Sequence, residues 1–133
     1  MSTRTMTKRG DRTFLRIAIM LQTSLVFVQA VTAGLLLSSP DARVLHSAGS
    51  YGLFLVVLLH LVVAVLVWRP GGGSPRLALY AGGFFGLTLA QIALGIADVK
   101  TLHVPLGVLL FGMSVLQVAW IWADHRARPA AAA

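Results

Sequence analysis

Four apolar runs, each close to the roughly 20 residues that a bilayer-spanning helix needs, constrain this chain more than any other feature. They cover 14–37, 46–68, 77–97 and 104–122. The links between them are short and rich in turn-formers: Ser38-Ser39-Pro40-Asp41, a segment from Arg69 to Arg76 holding Gly71, Gly72 and Gly73, and Asp98-Val99-Lys100. Links of this length make consecutive helices antiparallel neighbours. The expected fold is therefore all-α, a membrane-embedded antiparallel four-helix bundle. Composition points the same way, because 57% of the 133 residues are hydrophobic and only 11% are charged, against about 25% charged in soluble domains. Small domains bury the smallest fraction of their surface. The lipid bilayer is the expected solvent, and nothing is left over for a separate soluble domain.

Lysines and arginines orient the bundle. Arg4, Lys8, Arg9, Arg12, Arg16, Arg69, Arg76, Arg126 and Arg128 fall on one side of a four-span topology, and Arg43 and Lys100 on the other. The positive-inside rule then makes both termini cytoplasmic. Residues 1–13 read as a basic, loosely ordered cytoplasmic segment, 14–122 as the membrane domain and 123–133 as a cytoplasmic tail. The formal charge of +7 is a topology signal with some attraction to anionic lipid, and does not mark a nucleic-acid partner. The first apolar run exceeds the 7–15 residues of a signal-peptide core and reads as a true span.

A hexapeptide occurs twice. Asp41-Ala42-Arg43-Val44-Leu45-His46 recurs as Asp98-Val99-Lys100-Thr101-Leu102-His103, each copy opening into an apolar run. A glutamine and then a glycine precede each copy (Gln29 and Gly34, Gln91 and Gly95), and Gly49 or Gly107 follows each histidine within a turn. This pattern reads as a tandem repeat of two helical hairpins, related by a pseudo-twofold axis along the membrane normal. Such an axis sets His46 opposite His103.

Two imidazoles at equal depth, glycines beside them and cations at the membrane surface are what a bis-histidine haem b requires. His46 and His103 are the expected iron ligands, Gly49 and Gly107 the small residues at the porphyrin faces, and Arg43 and Lys100 the partners of the propionates. A histidine near a helix N-terminus is held neutral by the dipole, and the neutral ring is the ligating form. His60 lies on the face of His46, about 21 Å along the helix, and is a candidate for an additional haem. Its counterpart fourteen residues after His103 is Gln117, so a buried histidine bonded to a group such as Gln22 or Thr23 is the favoured reading. Gln22 and Gln29 read as interhelical packing polar groups.

Other chemistry finds no residues. The absence of cysteine excludes disulfides, thiolate metal sites and iron–sulfur clusters, and no acid lies within a span to serve a proton-coupled exporter. Gly71-Gly72-Gly73 lacks the lysine, strand and helix start of a phosphate loop, and reads as a flexible hinge.

Leu94-Gly95-Ile96-Ala97 through Leu102-His103-Val104-Pro105-Leu106-Gly107, and His46 through Gly52 with the helix that follows, resemble one four-helix half of haem A synthase. They are also similar to small four-helix membrane proteins of actinobacterial type and, in general picture, to cytochrome b561-like proteins. The resemblance covers about 14–122 and matches His46 and His103 by helix and depth. The chain has half the synthase's helices, no cysteine pair and no glutamate near the first histidine, so the oxygenating chemistry is not carried over. What the resemblance implies is a haem b protein of the bacterial plasma membrane, serving electron transfer, haem handling or redox sensing. A redox partner or larger membrane complex is implied, and a homo-oligomer is compatible. Two further classes stay open: a cofactor-free accessory subunit packed by its glycines, and a small transporter lined by Gln22, Gln29, Gln91 and His60.

Overall fold

A computed structural model describes residues 3–69 and 71–130, with side-chain surroundings for 13–69 and 71–123. The chain forms four helices, α1 (Thr3–Leu36), α2 (Ala42–Trp68), α3 (Pro75–Ile96) and α4 (Lys100–Ala130). Each packs on its two neighbours in the ring α1–α2–α3–α4–α1, and the backbones of the diagonal pairs stay apart. All four are long and apolar enough to cross a membrane, over Thr13–Leu36, Ala42–Trp68, Pro75–Ile96 and Lys100–Ala123.

Two helices outrun their apolar segments. α1 starts at Thr3 rather than at Phe14, so most of the basic segment expected to be loosely ordered is helix. α4 likewise carries on into the expected tail, to Ala130. Residues 1, 2 and 131–133 of those two segments lie outside the described residues, as do the side chains of 3–12 and 124–130.

The caps follow from the turn chemistry. Ser74 caps α3, its side chain accepting from the Arg76 backbone N–H at 3.3 Å, and Pro75 takes the first turn, where its missing donor is not needed. Asp98 adopts a left-handed φ of 55° between α3 and α4. The glycine run is not a loose hinge. The backbone N–H groups of Gly71 and Gly73 donate to the carbonyls of Leu66 and Val67 at 3.1 and 2.9 Å, and a Cβ at Gly73 would stand 2.7 Å from the Val67 oxygen. The link is a fitted cap that only glycine fills.

Burial is confined to narrow inward stripes. On α2 it runs through Leu53, Val57, His60, Ala64 and Val67, the spacing of a helix seam facing a bundle axis. Large apolar side chains such as Phe14, Tyr51, Leu55 and Leu79 point outward and are 62–74% exposed. That pattern is compatible with a bilayer around the bundle. Inside, Val26, Leu53, Val57, Phe84 and Leu110 form an apolar layer at mid-height, and Leu15, Ile19, Ala64 and Ala81 form another toward the basic end. Polar groups occupy the levels on either side of the first layer.

Candidate functional site

The two copies of the hexapeptide put their histidines in the opening turns of α2 and α4, helices that run parallel on opposite corners of the bundle. The rings meet across the bundle axis, with centroids 6.2 Å apart and planes at 70°. Both rings are only partly buried.

A carbonyl partner settles one of the two tautomers. His103 Nδ1 lies 2.9 Å from the Gln91 backbone carbonyl; a carbonyl only accepts, so Nδ1 carries the proton. His46 Nδ1 lies 2.9 Å from Thr32 Oγ1. That hydroxyl is also 3.1 Å from the Gln29 carbonyl; read with its one proton on that carbonyl, it accepts from His46 Nδ1–H, and read with the proton on the ring contact, Nδ1 accepts. Neither Nε2 has a partner among the described residues. His103 therefore has an unprotonated Nε2, and His46 has one when Thr32 donates to Gln29, each with Nδ1 tied as in a metal-bound histidine.

The neighbours of the rings are not those that spacing suggests. Gly95 of α3 is the residue against which His103 lies, since a Cβ there would stand 3.0 Å from the ring's Cε1. Gly107 and Gly49 instead receive glutamine amides: a Cβ at Gly107 would meet Gln91 Nε2 at 3.0 Å, and one at Gly49 would overlap Gln29 Nε2. Gln29 Nε2 also donates to the His46 carbonyl at 3.2 Å. Gln91 Oε1 is buried with no hydrogen-bond partner among the described residues, an uncommon state for a polar atom. Lys100 Nζ sits 3.4 Å from Asp98 Oδ1, with both side chains 77% exposed, a geometry worth at most about 1 kcal/mol. Arg43 is exposed.

One ion between two in-line imidazoles, at metal–nitrogen bonds of about 2.0–2.1 Å, puts ring centroids about 6 Å apart. The centroids of His46 and His103 are separated by a distance of that order, with the rings meeting edge-on at 70°. The amides of Gln29 and Gln91 fill the space beside Gly49 and Gly107.

Nearer the basic end His60 sits in a different arrangement. Its Nδ1 lies 2.7 Å from Gln22 Oε1, its Nε2 lies 3.2 Å from Gln117 Nε2, and Gln22 Nε2 reaches Gln117 Oε1 at 3.4 Å. The three side chains are 0–5% exposed. Read with Nδ1 protonated, the set closes a ring in which every bond has one donor and one acceptor. Gln22 is a partner the sequence suggests; Thr23 is not, its hydroxyl going to the carbonyls of Ile19 and Ser114. Both nitrogens of His60 are engaged, so this ring offers no free ligand.

Thr32, Gln91 and Gly95 are the residues that sequence reasoning did not place at the site. Thr32 and Gly95 fall three and four residues after the paired glutamines, a register that could have marked Thr32. A backbone carbonyl such as that of Gln91 leaves no signal in a sequence. Compared with known families, curated proteins and solved structures, the chain matches none.

Proposed function

We propose that the chain is a multi-pass protein of a bacterial plasma membrane, a tandem repeat of two helical hairpins with cytoplasmic termini, that holds one haem b between His46 and His103. The observation that carries this reading is the pair of facing rings, 6.2 Å apart, each with Nδ1 tied and Nε2 free. The repeat is supported at a second level, because His60 and Gln117 meet across the same diagonal 57 residues apart, the offset that separates His46 from His103. The outward apolar surface and the four long apolar helices support the bilayer.

His46 and His103 would hold the iron, and Arg43 and Lys100 are the cations at that end for the propionates. Bound haem supplies a one-electron iron couple. Thr32 and the Gln91 carbonyl each hold a ring by Nδ1, which would leave the other nitrogen for the metal. Held by two histidines, the iron would serve electron transfer, haem handling or redox sensing rather than substrate turnover. Titration of the detergent-purified protein with haem should saturate at one equivalent per chain with a sharpened Soret band. No spectral change up to several equivalents would overturn the assignment.

One observation favours a second reading, the cofactor-free accessory subunit: Gly83 and Gly86 on α3 face outward with nothing near a Cβ built at either, as in helices that pack on another membrane helix. That reading predicts colourless protein purified with a partner. A transporter working through the bundle is disfavoured, since the apolar layer of Val26, Leu53, Val57, Phe84 and Leu110 separates the two polar levels.

A further inference from the structure

The seam between α1 and α4 is open along one side. At the basic end a cavity of about 310 Å³ is lined by Arg16, Met20, Val118, Ile121 and Trp122. A second, of about 300 Å³, continues from Met20 and Val118 past Ser24 and Val115 to Phe27 and Phe111. Because they share Met20 and Val118, the two form one groove. It ends at the rings of Phe27 and Phe111, whose centroids are 6.0 Å apart. From Arg16 to Phe27 the helix rises about 16 Å, roughly half of the ~30 Å hydrocarbon core and so the depth of one leaflet.

The two ends of the groove differ in kind. Phe27 and Phe111 close the deep end with aromatic carbon. Arg16 stands at the shallow end, partly buried, and makes no ion pair among the described residues. Trp122 lies across the mouth from it, a side chain suited to the membrane interface. The charge of the chain is also lopsided. Asp41 and Asp98 balance Arg43 and Lys100 at the hexapeptide end, so the whole formal +7 resides at the end where Arg16 opens the groove. A cation beside an apolar channel one leaflet long is complementary to an anionic head on a hydrocarbon chain.

We propose that the α1–α4 groove is a binding site for an anionic glycerophospholipid of the leaflet at the basic end, with its phosphate on Arg16 and one acyl chain laid along Met20, Val115 and Val118 toward Phe27 and Phe111. The site rests on the bilayer placement but not on haem. A neutral isoprenoid would leave Arg16 without a partner, and a zwitterionic lipid would bring a second cation to an end that already carries the whole net charge.

Native mass spectrometry of the full chain, released from detergent containing equal phosphatidylglycerol and phosphatidylcholine, tests it. The wild type should retain one phosphatidylglycerol, about fivefold over phosphatidylcholine, the worth of one basic residue at a membrane surface. Arg16→Gln should bring the ratio to about one. Val115→Trp, which fills the groove at a 44% exposed position and keeps the charge, should lose the tightly held lipid of either kind. Equal retention of both lipids by the wild type, unchanged retention in both variants, or a second copy of the chain in place of lipid would overturn the site. Vesicle flotation separates the two readings: protein that floats yet shows no preference sinks only the groove, whereas protein that fails to float sinks the bilayer placement and the groove together.

Discussion

The bundle holds two polar levels built from matching corners of the same four helices, and they differ in what they leave unused. At the basic end His60, Gln22 and Gln117 spend their facing polar atoms on one another and are shut away from the surface. At the hexapeptide end His46 and His103 each use one ring nitrogen and keep the other, and Gln91 Oε1 is left without a partner. A buried polar group without a partner costs about 1–3 kcal/mol, so the closed ring stabilises the bundle more than the hexapeptide level, which carries the unpartnered Gln91 Oε1. A histidine whose needs are met holds helices together; one with a free lone pair can take a ligand.

The largest effect that would sharpen this contrast is at the closed level. His60→Ala strips Gln22 and Gln117 of a partner and opens a cavity, and should lower stability by about 2–4 kcal/mol, read by thermal or denaturant unfolding in detergent. Haem stoichiometry of the protein that remains folded should not change. A loss of haem with intact stability would reverse the roles of the two levels.

At the open level the expected effects fall on the ligand. Gly95→Leu pushes against His103 from 3.0 Å and should weaken haem affinity about 100-fold, while Gly107→Ala, which meets only a movable amide, should cost much less. Thr32→Val removes the hydroxyl that holds His46 Nδ1 and should weaken affinity about 10-fold, the low end for loss of an outer partner of a metal-bound histidine. All three are read by competitive haem titration. The smallest effect is at the surface, where Lys100→Gln should change affinity no more than about threefold and only at low salt, since an exposed charge pair is worth under about 1 kcal/mol.

The parts of this arrangement that the sequence shows are those written in long-range periodicity. Apolar runs of one length with short links give four antiparallel helices, and a hexapeptide repeated at one offset places His46 against His103. That offset also pairs His60 with Gln117, where a search for matched histidines finds none. Side-chain exchange between helices was less legible. Gly49 and Gly107 follow their histidines at helical spacing and look like open faces, yet each is covered by a glutamine from the neighbouring helix of its own hairpin. The extension of α1 back to Thr3 is hidden because the polar sequence before Phe14 carries no apolar period.

The most direct measurement of the central claim is a reduced-minus-oxidised absorbance spectrum of membranes and purified protein from cells supplied with haem, taken for the wild type and for His46→Ala, His103→Ala and His60→Ala. The account predicts sharp α and Soret bands in the wild type and in whatever His60→Ala protein folds, and their loss in each of the other two. A flat wild-type spectrum from folded protein, or bands that survive both substitutions at the hexapeptide, would contradict it.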